Sequence, residues 1–230
     1  MKAIILAGGE GTRLRPLTYD IPKALVEINN KTLTEHVIAL LKNININDII
    51  LSVSYKSDLI KDYFKDGAGH GINVSYLEEK ERLGTLGPLL LLKEDRIKET
   101  FMVLNGDNLF KTDLIKMLEF HKKQKALGTI ALSYVDDPSS YGVAKLKGSK
   151  IVEFVEKPKD NFPSHWINGG YYFFEPEVFD LIKNLDRGMI ETFLFPKLAE
   201  MNRLYGFKDK SLWFDTGTFE RLEKVRKNWK

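Results

Sequence analysis

Strand-length apolar runs alternate with helical patterns through the first half of the chain, and this alternation restricts the fold more than any other feature. Lys2 to Ala7, Asp48 to Val53, Ile72 to Leu77 and Phe101 to Leu104 are rich in Ile, Val and Leu with little polar alternation. Runs of that kind suit strands covered on both faces. Between them, Leu33, Val37, Leu40 and Leu41 fall at helical spacing behind Thr32 and Glu35, which are spaced as a capping box. Leu59, Ile60, Tyr63 and Phe64 mark a second helix, and Thr85 to Lys93 a third. Strand and helix in turn predict an α/β fold with a doubly wound, mostly parallel sheet and right-handed crossovers.

The second half predicts antiparallel additions to that sheet. Thr129 to Val135, Val143 to Leu146, Ile151 to Val155 and Gly170 to Phe174 follow one another closely, with Lys147-Gly148-Ser149-Lys150 as a hairpin turn. Helical patterns return at Pro176 to Leu185, Glu191 to Met201 and Phe219 to Trp229, the last placing Phe219, Leu222, Val225 and Trp229 on one side. With neither a linker nor a repeat, residues 1–230 read as one domain.

Composition narrows the function classes. The 35 basic and 32 acidic residues are scattered, with no sustained basic run to follow a polyanion, so nucleic acid is a poor partner. There is no cysteine, which excludes disulfides, thiolate catalysis and Cys-ligated zinc. Before the glycines, the start MKAIILAGGEG carries too few apolar residues for a secretory segment or a membrane span, so the expectation is a cytoplasmic protein without a membrane partner.

The first strand runs directly into Gly8-Gly9-Glu10-Gly11-Thr12-Arg13. In an open α/β sheet ligands bind beyond the carboxyl ends of strands, so this loop lies at a binding edge. Glycines let backbone amides approach phosphate oxygens, and Arg13 adds a forked permanent cation, with Lys23 behind it. Neither a Walker loop nor a dinucleotide fingerprint fits, because the first needs Gly-Lys-Ser/Thr and the second a small residue where Arg13 and Leu14 stand. Pro16 and Pro22 interrupt any immediate helix, which predicts a long loop that wraps its ligand.

Leu6-Ala7-Gly8-Gly9, Gly11-Thr12-Arg13-Leu14, Pro16-Leu17-Thr18 and Pro22-Lys23 together resemble the signature loop of the sugar-1-phosphate nucleotidyltransferases, or NDP-sugar pyrophosphorylases. Later segments resemble further motifs of that family in the same order: Leu83-Gly84-Thr85, Asn105-Gly106-Asp107, Tyr141-Gly142-Val143, Phe154 to Pro158, Asn168-Gly169-Gly170-Tyr171 and Trp213 to Thr218. The resemblance covers nearly the whole chain. It implies a Rossmann-like nucleotidyltransferase whose residues 1–125 mainly bind nucleotide and whose residues 126–230 mainly bind sugar phosphate.

The implied reaction joins a nucleoside triphosphate to a sugar 1-phosphate. The nucleophile is a phosphate monoester with a second pKa of ~6, so no general base is required. His36, His70, His121 and His165 accordingly read as surface or packing residues. By resemblance, Leu6, Ala7, Gly8, Gly9, Gly11 and Thr12 cradle the nucleotide, Arg13 contacts its β and γ phosphates, and Lys23 neutralises charge at the leaving side or the α-phosphate. Gly84 and Thr85 resemble the base-contacting segment, with Gly9 and Glu81 as helpers. Gly142, Asn168 and Gly169 resemble the sugar pocket, in which Glu156 accepts from hydroxyls and Lys157 grips the phosphate.

Asp107 and Asp215 each end an apolar stretch, where an unpaired carboxylate is costly. The resemblance implies that they share Mg2+, with Asp107 counted among the catalytic residues beside Arg13 and Lys23; the alternative is that Asp107 caps a helix starting near Lys111 and Asp215 one starting at Phe219. Pro22-Lys23-Ala24 departs from the Pro-Lys-Pro of many relatives and leaves the cation in place. The absence of hexapeptide repeats predicts a short form without a C-terminal β-helix or acetyltransferase activity, so any homo-oligomer would use this domain itself.

Gly84-Thr85-Leu86-Gly87-Pro88 resembles mannose-1-phosphate guanylyltransferases, and Asn168-Gly169-Gly170 heptose-1-phosphate guanylyltransferases, which favours GTP. Uridylyl or thymidylyl transfer to a hexose or amino-sugar phosphate is the runner-up, with a phosphocholine cytidylyltransferase more distant. From other classes come a silent nucleotide-sugar-binding regulatory subunit and a nicotinamide-dependent oxidoreductase. The complete charged set opposes the first and Arg13 the second.

Overall fold

The computed structural model describes residues 1–92 and 97–229. By packing, the chain divides into two compact units. One comprises Met1–Glu81, Leu104–Lys111 and the residues from Leu212 onward; the other comprises Arg82–Val103 and Thr112–Ser211.

The first unit is built on parallel strands. β1 (Lys2–Leu6) pairs in register with β4 (Asp48–Val53), and β4 with β5 (Asn73–Glu78). On the other side of β1 lies the end of β6 (Phe101–Asn105), where Gly106 N donates to Leu6 O at 3.0 Å. The order therefore turns in opposite directions from β1, and the ends of β1 and β6 mark the switch point at which open α/β sheets bind ligands. Helix α1 (Leu33–Lys42) starts at the expected capping box: Glu35 N donates to Thr32 Oγ1 at 3.2 Å, and Thr32 N donates to Glu35 Oε2 at 2.7 Å. It buries Leu33, Val37, Ile38 and Leu41, while α2 (Ser57–Phe64) buries Ile60 and Phe64. Two short ribbons complete this unit. β2 (Glu27–Ile28) pairs with β3 (Lys31–Thr32), and β7 (Asn108–Phe110) with β13 (Trp213–Asp215), which leads into α7 (Phe219–Asn228).

The second unit holds the antiparallel additions. β11 (Trp166–Phe174) pairs antiparallel with β8 (Gly128–Tyr134), which runs parallel to β12 (Leu204–Asp209). β12 meets β10 (Lys150–Glu156), which forms the expected hairpin with β9 (Gly142–Lys147) through Gly148 at φ 66°. β9 also returns to β11 at Ile167 and Val143. The sheet is buried on both faces, with Tyr171, Tyr172, Phe173 and Phe174 of β11 fully buried: Tyr172 lies 5.2 Å from the buried Phe195 ring on one face and Phe173 5.8 Å from His121 on the other. Helices α3 (Gly87–Leu91), α4 (Leu114–Gln124), α5 (Val178–Ile182) and α6 (Phe195–Glu200) cover it.

Several expected boundaries move. The third helix begins at Gly87 rather than Thr85, because Thr85 and Leu86 are tied to the 188–190 segment, and Lys93 lies outside the described residues. The helix expected over Pro176 to Leu185 is shorter, and the one over Glu191 to Met201 opens with a π-type turn at Ile190–Leu194. β11 starts at Trp166, four residues before Gly170, because a bulge between Asn168 and Tyr172 interrupts its apolar pattern without ending it. Among the described residues no helix is long and apolar enough to cross a membrane.

Candidate active site

In the first unit, the glycine loop leaves β1 with Ala7 N still bonded to Ser52 O at 2.8 Å. Gly8 is half-buried and Gly9 exposed. Gly11 takes φ +63°, and a Cβ there would lie 2.9 Å from Thr18 Cγ2. Only glycine meets both demands without strain. Thr18 is fully buried and its Oγ1 donates to Gly11 O at 2.8 Å, so the loop is clamped from beneath. Three 3-10 turns, Thr12–Leu14, Leu17–Tyr19 and Lys23–Leu25, replace the continuous helix that Pro16 and Pro22 forbid. Leu14 anchors the first turn in the core and leaves Thr12 and Arg13 exposed beside it.

Lys23 is carried under the loop by its turn. Its Nζ donates to Asp107 Oδ2 at 2.7 Å, with the lysine side chain 9% and the aspartate side chain 45% exposed. A buried ammonium thus has its counter-charge on a carboxylate that is itself partly exposed. Asp107 follows the end of β6 closely: a Cβ on Gly106 would lie 2.7 Å from Leu6 O, so the two strand ends approach too tightly for any side chain. The neighbouring Asn105 Oδ1 is a buried acceptor without a hydrogen-bond partner, a cost of about 1–3 kcal/mol held at this strand end.

Asp215 approaches Asp107 through the ribbon that follows it. It lies opposite Asn108 in the β7–β13 ribbon, and Thr216 donates through Oγ1 (2.7 Å) and N (3.3 Å) to Asp107 O. Gly217 N donates to Asp215 Oδ1 at 2.6 Å, and Arg221 Nη1 pairs with Oδ2. Arg13 reaches this turn as well, since its Nη2 lies 2.8 Å from the point where a Gly217 Cβ would stand. Neither aspartate is a helix cap. Asp113 caps α4 by accepting from Lys116 N at 3.0 Å, and Thr218 caps α7 by accepting from Arg221 N at 3.3 Å. The cap alternative fails because each helix starts several residues later than the aspartate and brings its own capping oxygen.

In the second unit, the register of β9 and β10 sets Gly142 opposite Glu156, and Lys157 N donates to Tyr141 O at 3.1 Å. Glu156 Oε2 lies 2.7 Å from where a Gly142 Cβ would be, so glycine makes room for that carboxylate. Lys157 is exposed, takes a left-handed φ of 48°, and holds Glu156 Oε1 at 3.0 Å from its Nζ. The β9–β11 pairing at Val143 and Ile167 brings Asn168 and Gly169 to this corner. Asn168 braces the bulge: its Nδ2 donates to Tyr172 OH at 2.9 Å, and Gly170 N donates to its Oδ1 at 2.9 Å.

Gly84 and Thr85 are fastened to another segment of that unit. Gly84 has φ +80°, with Gly188 O 2.2 Å from a hypothetical Cβ, and Thr85 Oγ1 donates to Glu191 Oε2 at 2.6 Å while accepting from Ile190 N at 2.8 Å. Glu191 was legible only as a residue opening a helix. Enclosure by protein pushes its carboxyl up from the ordinary value; the hydrogen bond from Thr85 opposes this, the Glu156 charge adds to it, and Lys157 opposes it. Arg221 carried no sequence signal beyond its place on the polar side of a helix.

The histidines fill packing roles. His36 Nε2 donates to Ile28 O at 2.8 Å and its Nδ1 accepts from Trp229 Nε1 at 3.1 Å, while buried His121 contacts Thr129 Oγ1 at 2.7 Å and Glu175 Oε1 at 2.9 Å. Burial holds both rings below the ordinary imidazole pKa, against the pull of Ile28 O on His36 and of Glu175 on His121.

Comparison with known proteins agrees with this geometry. A family model described as nucleotidyl transferase matches residues 2–230. The chain is 41% identical over 222 residues to the mannose-1-phosphate guanylyltransferase catalytic subunit beta of Xenopus tropicalis, and 41% over 226 residues to a mannose-1-phosphate guanyltransferase of Saccharomyces cerevisiae. Each match covers 94% of this chain and 61% of the relative, so the chain spans about three-fifths of the length of the curated proteins it matches. Among solved structures, a Bacillus anthracis protein assigned as a glucose-1-phosphate thymidylyltransferase, in complex with sucrose, gives a TM-score of 0.90 at 29% identity over 99% of this chain and 94% of that one. A UDP-glucose pyrophosphorylase with UDP-glucose gives 0.85 at 23% identity over 99% of this chain and 97% of that one, a likeness of fold. With an α/β architecture, a glycine loop at the turning point of its strand order and a family match over nearly its full length, the chain belongs to the nucleotidyl transferase family.

Proposed function

We propose that the chain transfers a nucleoside monophosphate from a nucleoside triphosphate to a sugar 1-phosphate, releasing pyrophosphate, with GTP and a mannose-type 1-phosphate as substrates. The observation that carries this reading is the gathering of Arg13, Lys23, Asp107 and Asp215 at one edge of the first unit, beside the glycine loop. Such a site needs cations and positioned amides more than a general base, since the attacking phosphate is already ionised at neutral pH and the barrier lies in bringing polyanions together. Arg13, exposed and forked, binds the β and γ phosphates. Lys23 holds its charge near the α-phosphate and fixes Asp107. The loop amides from Gly8 to Thr12 cradle the nucleotide.

In the second unit, Lys157 binds the phosphate of the sugar substrate and Glu156 accepts hydrogen bonds from its hydroxyls. Gly142, Asn168 and Gly169 leave space for the ring. The Thr85 side chain is already engaged by Glu191 and Ile190 N, so base recognition falls to the backbone of the Gly84–Thr85 segment.

The donor set suits a hard divalent cation. Asp107 directly precedes β7 and Asp215 ends the facing strand β13, a pair of carboxylates suited to magnesium with phosphate and water oxygens completing its shell. When bound there, the ion would neutralise phosphate oxygens.

Pyrophosphate release with a panel of triphosphates and sugar 1-phosphates tests the reading. Turnover is expected to be fastest with GTP and mannose 1-phosphate, and Asp107→Asn or Asp215→Asn to lower it by about 10²-fold or more with the fold retained. Turnover with UTP or dTTP instead would transfer the assignment to the runner-up. Nucleotide-sugar binding without turnover of any pair would make the chain a regulatory subunit.

A further inference from the structure

The first turn of α7 carries a cation where helix electrostatics disfavour one. Thr218 caps the helix by accepting from Arg221 N at 3.3 Å, which fixes Arg221 as the third helical residue. Partial positive charge gathers at a helix N-terminus, so a guanidinium there is unfavourable by itself. Asp215 compensates. Arg221 Nη1 pairs with Asp215 Oδ2 from six residues later, and Gly217 N donates to Oδ1 at 2.6 Å, so both carboxylate oxygens are engaged. The aspartate side chain is 14% exposed and the arginine 32%, which shields the pair from water more than an ordinary surface pair.

Asp107 is matched in the same way by Lys23 at 2.7 Å. Each carboxylate assigned to the divalent ion is therefore neutralised by a cation of the chain. An ion arriving alone must share Asp215 with a guanidinium and weaken a charge-assisted hydrogen bond. An ion arriving with a triphosphate brings anionic oxygens that can receive the released guanidinium.

We propose that Arg221 is a positioning residue, an internal counter-cation that occupies Asp215 in the substrate-free protein and keeps its affinity for a divalent ion low. This rests on the reading of Asp215 as an ion ligand. The test is a titration of substrate-free protein with Mn2+ alone, following unbound Mn2+ by electron paramagnetic resonance. Arg221→Met is expected to tighten Mn2+ binding roughly tenfold, the worth of one charged hydrogen bond, and Arg221→Lys, which keeps a cation, to tighten it much less. Thermal unfolding without metal reports whether each variant is folded. If Arg221→Met is not, Arg221→Gln replaces it with the same expected direction.

Unchanged or weaker Mn2+ binding in the folded neutral variant overturns the proposal. Adding Asp215→Asn to that variant separates this from failure of the underlying reading. If the double variant loses the site, Asp215 is a ligand and the Arg221 result stands on its own; if its affinity is unaltered, Asp215 is not a ligand and both ideas fall.

Discussion

Glu191 shows how far a single residue can be removed from its apparent sequence role. It is half-exposed by area, yet its carboxyl is enclosed beside Thr85 and within the fields of Glu156 and Lys157. Because enclosure raises its folded pKa, the folded state holds this proton more tightly than the unfolded chain does. The associated stability is complete below the unfolded value of 4.5 and is lost as pH rises through the folded value. Glu191→Gln keeps the shape and is expected to flatten the fall in melting temperature as pH rises above 4.5. An unaltered slope would count against it. Lys157 illustrates a different tension, since its φ of 48° costs a side-chain-bearing residue about 1–2 kcal/mol. Lys157→Gly relieves that strain at the expense of a more flexible unfolded chain, so stability should stay within about 1 kcal/mol of wild type. The KM for sugar 1-phosphate should rise about tenfold or more, the loss of one charged contact. Denaturation and steady-state kinetics measured together check both halves; a large stability loss would assign Lys157 to the fold.

Elements whose signals are local were legible, and α1 is the clearest. Thr32 and Glu35 form the reciprocal capping pair that their spacing announces. Thr32→Ala is expected to lower stability by about 1 kcal/mol in urea denaturation, because Glu35 N loses the Thr32 Oγ1 that caps it. β1 and β4 were equally readable, as uninterrupted apolar runs. β12 was not, since Gly206 breaks the pattern of Leu204 to Asp209; it is required there because Leu132 Cδ1 lies 2.3 Å from where its Cβ would stand. β7 and β13 are three residues each and exist only through each other. The candidate site divides along the same line. The glycine loop and Asp107 could be placed because strand ends of an α/β sheet are binding edges, whereas Thr85 meets Glu191 from 106 positions away, a proximity that spacing does not encode.

At the scale of the whole molecule, the order of the chain and the order of its packing disagree. The first unit is assembled from three stretches separated by parts of the second. Its last stretch supplies β13, which pairs with β7, and α7, whose Leu222 and Val225 are fully buried, followed by the nearly buried Trp229. Burial of three such side chains stabilises by about 1.5–3 kcal/mol each, comparable with the entire net stability of many domains. A chain ending before Leu212 is therefore expected to lack cooperative unfolding by circular dichroism; a sharp transition would show that the first unit closes without that stretch. During synthesis the consequence is one of timing. β1 is synthesised well before the rest of its unit, which cannot be finished until α7 follows some two hundred residues later, so a nascent chain must keep its earlier strands from straying throughout that interval.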